Sequence, residues 1–240
     1  SGLMLRTSAS AQLLSAGLSQ LEPQSVTWSR TRSANILKKR GFTVTDPVFK
    51  ETYSPLSSSE LVAKEKSMMD EKRFAHCVRV SETARTLAKL NGYDEDKAAL
   101  AGFVHDYAKQ IPVEEYIKVI KEEGFDPDLL NWNRAIWHGI VGSWFIKRDL
   151  GITDPEILTA VYRHTTGDVE MTTLDQIVFV ADYIEPGRTF AGVEEARKTS
   201  YADLASGVGY ELAHTLAFLV QKRSKIYPRT LAAYNVWAAE

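Results

Sequence analysis

The 240-residue chain is 44% hydrophobic, which is enough to form a sizeable core. No stretch approaches the roughly 18 consecutive apolar residues of a membrane span, and the single cysteine, Cys77, cannot form an internal disulfide. These features exclude a disulfide framework and predict a globular protein without a membrane partner, located in the reducing cytoplasm.

The first segment, residues 1–57, is predicted to be an irregular N-terminal extension. Residues 1–50 carry seven basic and two acidic residues, whereas the rest of the chain carries 22 basic and 29 acidic ones. The extension is rich in serine and poorly patterned, which fits a transit peptide, a linker or a remnant of another segment. We assign it no function. Because the rest of the chain is acidic, we expect no nucleic-acid partner.

Residues 58–240 are predicted to form one all-α domain. Ser57 and Glu60 have the spacing of a capping box at its start, and few strand signals follow. The helical pattern is divided by proline at helix starts, as at Pro112, and by glycine after helix ends, as at Gly124. The predicted helices cover about residues 60–69, 71–90, 95–106, 112–123, 134–149, 155–164, 173–184, 192–199, 203–224 and 228–238. The sequence therefore predicts a bundle of about ten helices.

The stretch AGFVHDYAKQIP, residues 101–112, places ionisable residues at the end of an apolar helix. His105 and Asp106 are adjacent, and Lys109 follows shortly after them. Buried ionisable side chains are costly unless another group pairs with them. We therefore expect partners for this pair elsewhere in the chain.

Four further polar groups occupy apolar helix faces, and they are His76, His138, His164 and Asp182. Taken singly, each histidine fits a hydrogen-bonded core residue, and the aspartate fits a helix cap. Together with His105 and Asp106 they supply six imidazole or carboxylate groups, which divalent metal ions would neutralise at once. The pattern therefore favours a metal site. The fifth histidine, His214, has no place in it and is expected to be structural or exposed.

Six ordered blocks of sequence resemble one family. They are RFAH, AGFVHDYAK, WHGIVG, YRHTTG, VFVADYIEPGRTFAGVEEAR and IYPRTLAAYN. The order of the histidine and aspartate residues resembles the HD-domain metal-dependent phosphohydrolases. The six blocks together are similar to the YqeK-like HD-domain hydrolases, which cleave diadenosine tetraphosphate symmetrically to two ADP. The resemblance covers about residues 58–237 and leaves the N-terminal extension outside.

This resemblance implies an HD-domain helical bundle, a di-iron type centre with manganese or cobalt as alternative metals, a dinucleoside polyphosphate substrate and a homodimer. It implies that one metal is held by His76, His105, Asp106 and Asp182. Asp106 then bridges to a second metal held by His138 and His164. Two such cations activate a shared water, so the implied nucleophile is a metal-bound hydroxide, and Asp106 and Lys109 are the implied catalytic residues.

Four residues are candidates for contacts with phosphate. Lys109 is placed to reach over the metal site, and Arg188 in EPGR is placed to bind polyphosphate oxygens through its planar guanidinium group. Thr165 and Thr166 could donate hydroxyl hydrogen bonds to phosphate, although capping the end of their helix is about as plausible.

Several other residues are expected to be structural. Arg73 and Arg134 are weaker candidates for phosphate binding and are expected instead to make surface or structural contacts. Cys77 lies on a different face of its helix from His76 and is expected to pack in the core. The aromatic residues Trp132, Trp137, Trp144 and Tyr107 could stack on a base, but their helical spacing is more typical of core residues, and we select none of them.

Two alternatives remain open at this stage. The protein could be an HD phosphohydrolase that acts on other nucleotides, because the metal site would be the same and only the resemblance selects the substrate. It could also be a non-catalytic helical protein that binds a nucleotide or a partner. The presence of all six ligand residues argues against this second alternative, and metal analysis distinguishes it from an enzyme.

Overall fold

The computed structural model describes residues 45–49 and 53–239. Within these residues the chain forms eleven α-helices, one short 3-10 helix and no strand. The predicted all-α fold is therefore confirmed. Residues 1–44 and 50–52 of the predicted irregular extension lie outside the described residues.

The α-helices are α1 (Ser58–Met68), α2 (Glu71–Leu90), α3 (Glu95–Val104), α4 (Val113–Glu122), α5 (Arg134–Ile140), α6 (Gly142–Leu150), α7 (Pro155–Arg163), α8 (Thr173–Ile184), α9 (Val193–Ala202), α10 (Leu204–Gln221) and α11 (Pro228–Trp237). The 3-10 helix, Pro127–Asn131, lies between α4 and α5. Of the helices in the described residues, none is long and apolar enough to cross a lipid bilayer.

Local sequence signals set several of the helix ends. The predicted capping box is present at α1, where the Ser57 side chain accepts a hydrogen bond from the Glu60 amide and the Glu60 side chain accepts one from the Ser57 amide. A second capping box, formed by Thr172 and Asp175, begins α8. Gly151, with φ of 65°, ends α6 in the left-handed conformation that glycine adopts at little cost.

Helix α3 lies at the centre of the fold and packs against α2, α7 and α8. Every residue from Ala98 to Val104 is buried. A Cβ atom on Gly102 would lie 3.0 Å from the Cβ of Ala84 in α2, so this glycine allows the two helices to approach closely. The close packing places the C-terminal end of α3, and hence His105, deep inside the domain.

Two of the differences between the predicted and the observed helices concern the site. The predicted helix 95–106 ends at Val104, and residues 105–110 form successive turns closed by hydrogen bonds from Tyr107 to Val104 and from Lys109 to Asp106. The predicted helix 134–149 is divided into α5 and α6 at Val141, where the α-helical assignment is interrupted for one residue.

Residues just before α1 pack against the helices. Phe49 is buried and its ring centroid lies 5.7 Å from that of Phe103 in α3. The hydroxyl of Tyr53 donates to Asp94, and that of Ser54 donates to the carbonyl of Leu150, both over 2.5 Å. The domain boundary after residue 57 stays a prediction, and these contacts lie immediately on its N-terminal side.

Candidate metal centre

The six predicted ligand residues come together at one buried point. His76 is in α2 and His138 in α5, His105 and His164 follow the ends of α3 and α7, Asp106 lies in the turn after α3, and Asp182 is in α8. Three groups have ligand atoms within 4.8 Å of one another, and these are His76, His105 and Asp106; His105, His164 and Asp182; and Asp106, His138 and His164. Each group has enough nitrogen and oxygen atoms to hold a metal ion.

Asp106 lies between the two pairs of histidines. Its Oδ1 atom is 3.2 Å from His138 Nε2 and 3.6 Å from His164 Nε2. Its Oδ2 atom is 3.5 Å from His105 Nε2 and 3.7 Å from His76 Nε2. One carboxylate therefore faces two separate sets of imidazole nitrogens, as a bridging ligand would.

Asp182 completes the half of the cluster that contains His76. Its Oδ1 atom lies 3.0 Å from His76 Nε2 and 3.8 Å from His105 Nε2. The predicted four-residue set of His76, His105, Asp106 and Asp182 therefore occupies one region of the structure.

The hydrogen bonds of three histidines fix which ring nitrogen faces the cluster. Each Nδ1 lies 2.7–2.8 Å from a backbone carbonyl of its own helix, with His105 bound to Gly102, His138 to Arg134 and His164 to Val161. Because a carbonyl can only accept, each Nδ1 carries the hydrogen. In the neutral ring, Nε2 then presents a lone pair to the centre, as metal ligation requires.

The arrangement of these lone pairs fits divalent cations. His138 Nε2 and His164 Nε2 are only 3.2 Å apart, although neither carries a hydrogen in this neutral form. Among the described residues, His76 Nε2, His105 Nε2 and Asp106 Oδ1 are buried without a hydrogen-bond partner. Lys109 Nζ, 2.8 Å from His138 Nε2, supplies a positive charge to that histidine. The other buried acceptors that face one another are costly without a shared positive charge. The residues present therefore fit a transition-metal centre.

The electrostatics keep the ligands in the forms that bind metal. Burial lowers the pKa of His138 to about 4, so its ring is neutral at pH 7. Burial acts to raise the pKa of Asp106, but the surrounding imidazoles of His105, His138 and His164 outweigh it and hold that pKa well below its usual range. The centre therefore combines a neutral imidazole with an ionised carboxylate.

His76 is held differently, by a pair of residues that the sequence analysis did not identify. Its Nδ1 atom is 3.1 Å from Glu185 Oε1. Arg79 Nε in turn donates to Glu185 Oε2 over 2.5 Å. Arg79 lies one helical turn after His76, and Glu185 begins the EPGR motif. Helical spacing could have placed Arg79 beside His76 on α2. It could not have predicted the contact of Glu185 with either residue, because Glu185 is far away in the sequence.

A polar cleft of about 380 Å³ opens beside His76, and four basic residues, Lys72, Arg73, Arg79 and Arg188, line it. Arg73, a weaker candidate for phosphate binding, lines this cleft, and its Nη1 atom donates to Asp106 Oδ2 over 2.8 Å. Arg73 lies three residues before His76 on α2, so it shares the face that points to the centre. The cleft is suited to a polyanion.

The predicted phosphate-binding residues differ in their surroundings. Lys109 Nζ lies 2.8 Å from His138 Nε2 and 3.7 Å from Asp106 Oδ1. Arg188 donates through Nε to the Asp182 carbonyl over 2.9 Å and also contacts the Asp182 carboxylate. Lys109 and Arg188 therefore contact opposite halves of the cluster.

The side chains of the two threonines and Arg134 make other contacts. Thr166 is fully buried, and its hydroxyl donates to the Gly167 carbonyl over 2.9 Å, outside α7. Thr165 Oγ1 is buried without a partner among the described residues. Arg134 Nη1 donates to the Ile111 carbonyl over 3.5 Å, a structural contact as expected.

The remaining expectations concern aromatic and sulfur-containing side chains. Tyr107 and Trp137 are buried in the core, and Trp144 is partly buried against it. Cys77 is fully buried and packs as expected, with its Sγ 3.8 Å from the sulfur of Met69. His214 is exposed on α10.

Comparisons with known proteins agree with this geometry. The HD domain model matches residues 73–187. The chain is 39% identical over 180 residues to the symmetrical bis(5'-nucleosyl)-tetraphosphatase of Bacillus subtilis (strain 168), covering 75% of this chain and 97% of that protein. It is 41% identical over 170 residues to the protein of the same name from Halalkalibacterium halodurans, covering 71% of this chain and 91% of the relative.

A solved structure is similar as well. It is the crystal structure of a protein from Clostridium acetobutylicum described as a predicted HD superfamily hydrolase involved in NAD metabolism. The TM-score is 0.73 at 35% sequence identity, over 76% of this chain and 97% of the other. Together with the ordered histidine and aspartate residues, these matches confirm the family predicted from sequence. The chain belongs to the YqeK-like HD-domain family of symmetrical bis(5'-nucleosyl)-tetraphosphatases.

Proposed function

We propose that the protein hydrolyses diadenosine tetraphosphate symmetrically in a metal-dependent reaction. Water adds to one of the two central phosphorus atoms, the bridging P–O bond between the second and third phosphates breaks, and two ADP molecules are released. The observation that carries this proposal is the convergence of four imidazoles on two aspartates within the domain that matches the tetraphosphatases.

We propose the ligand sets that the family resemblance implies. His76, His105, Asp106 and Asp182 would hold one ion, and Asp106 would bridge to a second ion held by His138 and His164. Imidazole and carboxylate ligands suit iron, which we propose as the metal, as well as manganese and cobalt. When bound, two such cations polarise phosphoryl oxygens and lower the pKa of water.

The chain's own residues bind and orient the polyphosphate. Lys109 and Arg188 would contact phosphate oxygens on either side of the central bridge, since they lie beside opposite halves of the cluster. Arg73 adds a third positive charge at the shared carboxylate of Asp106. These fixed cations offset the negative charge of the substrate and the charge that develops as the P–O bond breaks.

The test combines metal analysis with identification of the products. Protein prepared without oxygen should contain iron and should convert diadenosine tetraphosphate to ADP alone. Formation of ATP and AMP would contradict symmetrical cleavage, and a faster reaction on other nucleotides would support a different HD phosphohydrolase. Metal-free protein that gains no activity on addition of iron, manganese or cobalt would indicate a non-catalytic protein.

Substitution of the bridging carboxylate tests the site itself. Asp106→Asn removes the charge that faces both histidine pairs, so we expect loss of bound metal and of turnover together. Asp203→Asn is the matched control, because Asp203 only caps α10, and asparagine caps helices equally well. Full metal content and turnover in Asp106→Asn would contradict the proposed site.

We also propose a homodimer in the cytoplasm, as the family resemblance implies. Cys77 is the only cysteine of the chain, so no internal disulfide can form, which fits a reducing compartment.

A further inference from the structure

Arg197 is the last residue of the sequence block VFVADYIEPGRTFAGVEEAR, and the reaction proposed above does not use it. It lies on α9, and its guanidinium group contacts the segment where α8 ends. Its Nε atom donates to the Ile184 carbonyl over 2.9 Å. Its Nη2 atom donates to the carbonyl of Glu185 over 2.9 Å and to that of Arg188 over 3.0 Å. One side chain therefore binds three backbone carbonyls within residues 184–188.

Two of these carbonyls belong to a tight turn that begins and ends with residues of the site. The turn is Glu185-Pro186-Gly187-Arg188, and a hydrogen bond of 2.9 Å from the Arg188 amide to the Glu185 carbonyl closes it. Arg197 binds the first and the last carbonyl of this turn at once. Because a free linking segment has many accessible conformations, these two bonds restrict the turn to one shape.

The third carbonyl fixes the turn to the end of α8. The last carbonyls of a helix have no partner within it, and basic side chains can satisfy them. The Ile184 carbonyl accepts from Arg197, and the Asp182 carbonyl accepts from Arg188 Nε. The same guanidinium group of Arg197 therefore holds both the end of the helix that carries Asp182 and the turn that follows it.

These bonds require the planar fork of an arginine. A guanidinium group has five N–H donors in fixed directions, so it can bind several carbonyls that lie around its edge. Arg197 also forms an ion pair with Glu194, but the Glu194 side chain is 83% exposed. Exposed ion pairs contribute little. The carbonyls, rather than Glu194, therefore account for the orientation of Arg197.

We infer that Arg197 is a positioning residue for the reaction and holds the turn in the shape that directs Arg188 into the polyphosphate cleft. Arg188 lines that cleft, and the path of its backbone decides where its guanidinium group lies. The inference deepens the proposed function and rests on its assignment of Arg188 to phosphate. Arg197 touches neither the phosphates nor the metal ligands in this role and acts through Arg188.

The competing route runs through Glu185 to the metal centre. The Glu185 side chain has its own partners, because Arg79 Nε donates to it over 2.5 Å and His76 Nδ1 lies 3.1 Å from it. Arg197 contacts the Glu185 carbonyl rather than this carboxylate. The hold on His76 is therefore independent of Arg197, and the metal content should be independent of it as well.

The test is a cycle of single and double variants, measured on the metal-loaded protein. Arg197→Met keeps an apolar stem and removes every donor. Both kcat/KM for diadenosine tetraphosphate and the affinity for ADP, measured by calorimetry, should fall about 10- to 100-fold, because a contact residue is misplaced. Metal content should stay at the wild-type level. KM and kcat should change in the same proportion as they do in Arg188→Met.

The decisive comparison is the same substitution in the Arg188→Met protein. There Arg197→Met should change kcat/KM and ADP affinity by less than about twofold, because the residue through which Arg197 acts is gone. Arg197→Lys provides a milder second variant if Arg197→Met does not fold. Its single ammonium group keeps the charge but cannot donate in all three directions, so it should give a smaller loss with the same dependence on Arg188.

Arg85→Met is the matched control. Arg85 is similarly placed at the surface, with 24% of its side chain exposed against 20% for Arg197, and it forms an ion pair with Asp96 at 2.5 Å. It is not among the residues of the site described above. The variant should keep the wild-type kcat/KM and ADP affinity.

Two results would overturn the inference. One is an equal loss from Arg197→Met in the wild-type and the Arg188→Met proteins, which would show an effect on the fold rather than on Arg188. The other is a loss of metal in Arg197→Met, which would place the effect at Glu185 and His76.

Failure of the proposed function gives a different result. A protein that does not cleave diadenosine tetraphosphate, but whose ADP affinity depends on Arg197 only when Arg188 is present, contradicts the function alone. A protein that releases ADP alone, but in which the effects of Arg197 and Arg188 are independent, contradicts the positioning role alone.

Discussion

His76 differs from the other three histidines in the acceptor of its Nδ1 hydrogen. The other three donate to backbone carbonyls, whereas the partner of His76 is the carboxylate of Glu185. A charged acceptor raises the basicity of the ligand nitrogen more than a neutral one does. Burial acts to raise the pKa of Glu185, but the hydrogen bonds with His76 and Arg79 outweigh it and lower that pKa to about 2. Glu185 therefore remains ionised and fixes the orientation of His76.

Replacing Glu185 by glutamine should weaken metal binding without unfolding the protein. Glutamine can still accept a hydrogen bond from His76 Nδ1, but it lacks the charge that raises the basicity of Nε2. We expect the metal affinity to fall by about 10- to 100-fold, measured by competition with a chelator followed by metal analysis.

The matched control is Glu156→Gln. Glu156 also forms an ion pair, with Lys97 Nζ at 2.5 Å, but it contacts no histidine. Equal metal affinities for the two variants would show that Glu185 has no positioning role.

The residue types of the site could be predicted from the sequence, whereas their supporting partners could not. His76, His105, His138, His164, Asp106 and Asp182 stand out because each is polar on an apolar face. The bond between Glu185 and His76 joins residues 109 positions apart, and the contact of Arg73 with Asp106 joins residues 33 positions apart. Periodicity describes one helix at a time, so it carries no information about such pairs.

At the scale of the helices, the turn after α3 shows the limit of the periodic pattern. His105 keeps α-helical angles, with φ of −55° and ψ of −37°, but α3 itself ends at Val104. The following turns close by bonds between residues three apart, which tighten the chain and bring Asp106 between the histidines. The apolar pattern continues through this tighter stretch, so the sequence alone predicted a helix extended to residue 106.

A second helical feature leads to a prediction about the packing of α5 against α7. A Cβ atom on Gly139 would lie 2.8 Å from Thr165 Oγ1 and 3.2 Å from the Val161 carbonyl. Gly139→Ala should therefore move α5 away from α7. His138 lies in α5, and His164 directly follows α7. We expect the free energy of unfolding to fall by about 1 kcal/mol or more, measured by urea denaturation, together with a lower metal content.

Gly142→Ala in α6 is the matched control, since the nearest atom to its Cβ would be Ala108 Cβ at an ordinary 3.5 Å. Its stability should be close to that of the wild type. A Gly139→Ala variant as stable and as rich in metal as Gly142→Ala would mean that the two helices can separate without disturbing the centre.

At the scale of the whole molecule, buried packing begins N-terminal to the residues that match the HD domain model, which are 73–187. About 180 residues of this chain account for 97% of the Bacillus subtilis relative. The resemblance begins near residue 58, yet Phe49 and Tyr53 already contact the helices. We therefore propose that residues 45–57 support the domain and that the metal centre and its activity reside in residues 58–240.

Two truncated chains test separately whether residues 45–57 stabilise the domain and whether the metal centre and its activity reside in residues 58–240. A chain that begins at residue 45 should keep the metal content and the release of ADP alone, because every ligand and cleft residue is retained. A chain that begins at residue 58 loses the buried Phe49 ring and the Tyr53–Asp94 hydrogen bond. Its free energy of unfolding should fall by about 3 kcal/mol, since removal of a buried phenylalanine leaves a cavity beside Phe103. Denaturant titration of both chains measures this difference, and equal stability would show that residues 45–57 contribute no packing energy to the domain.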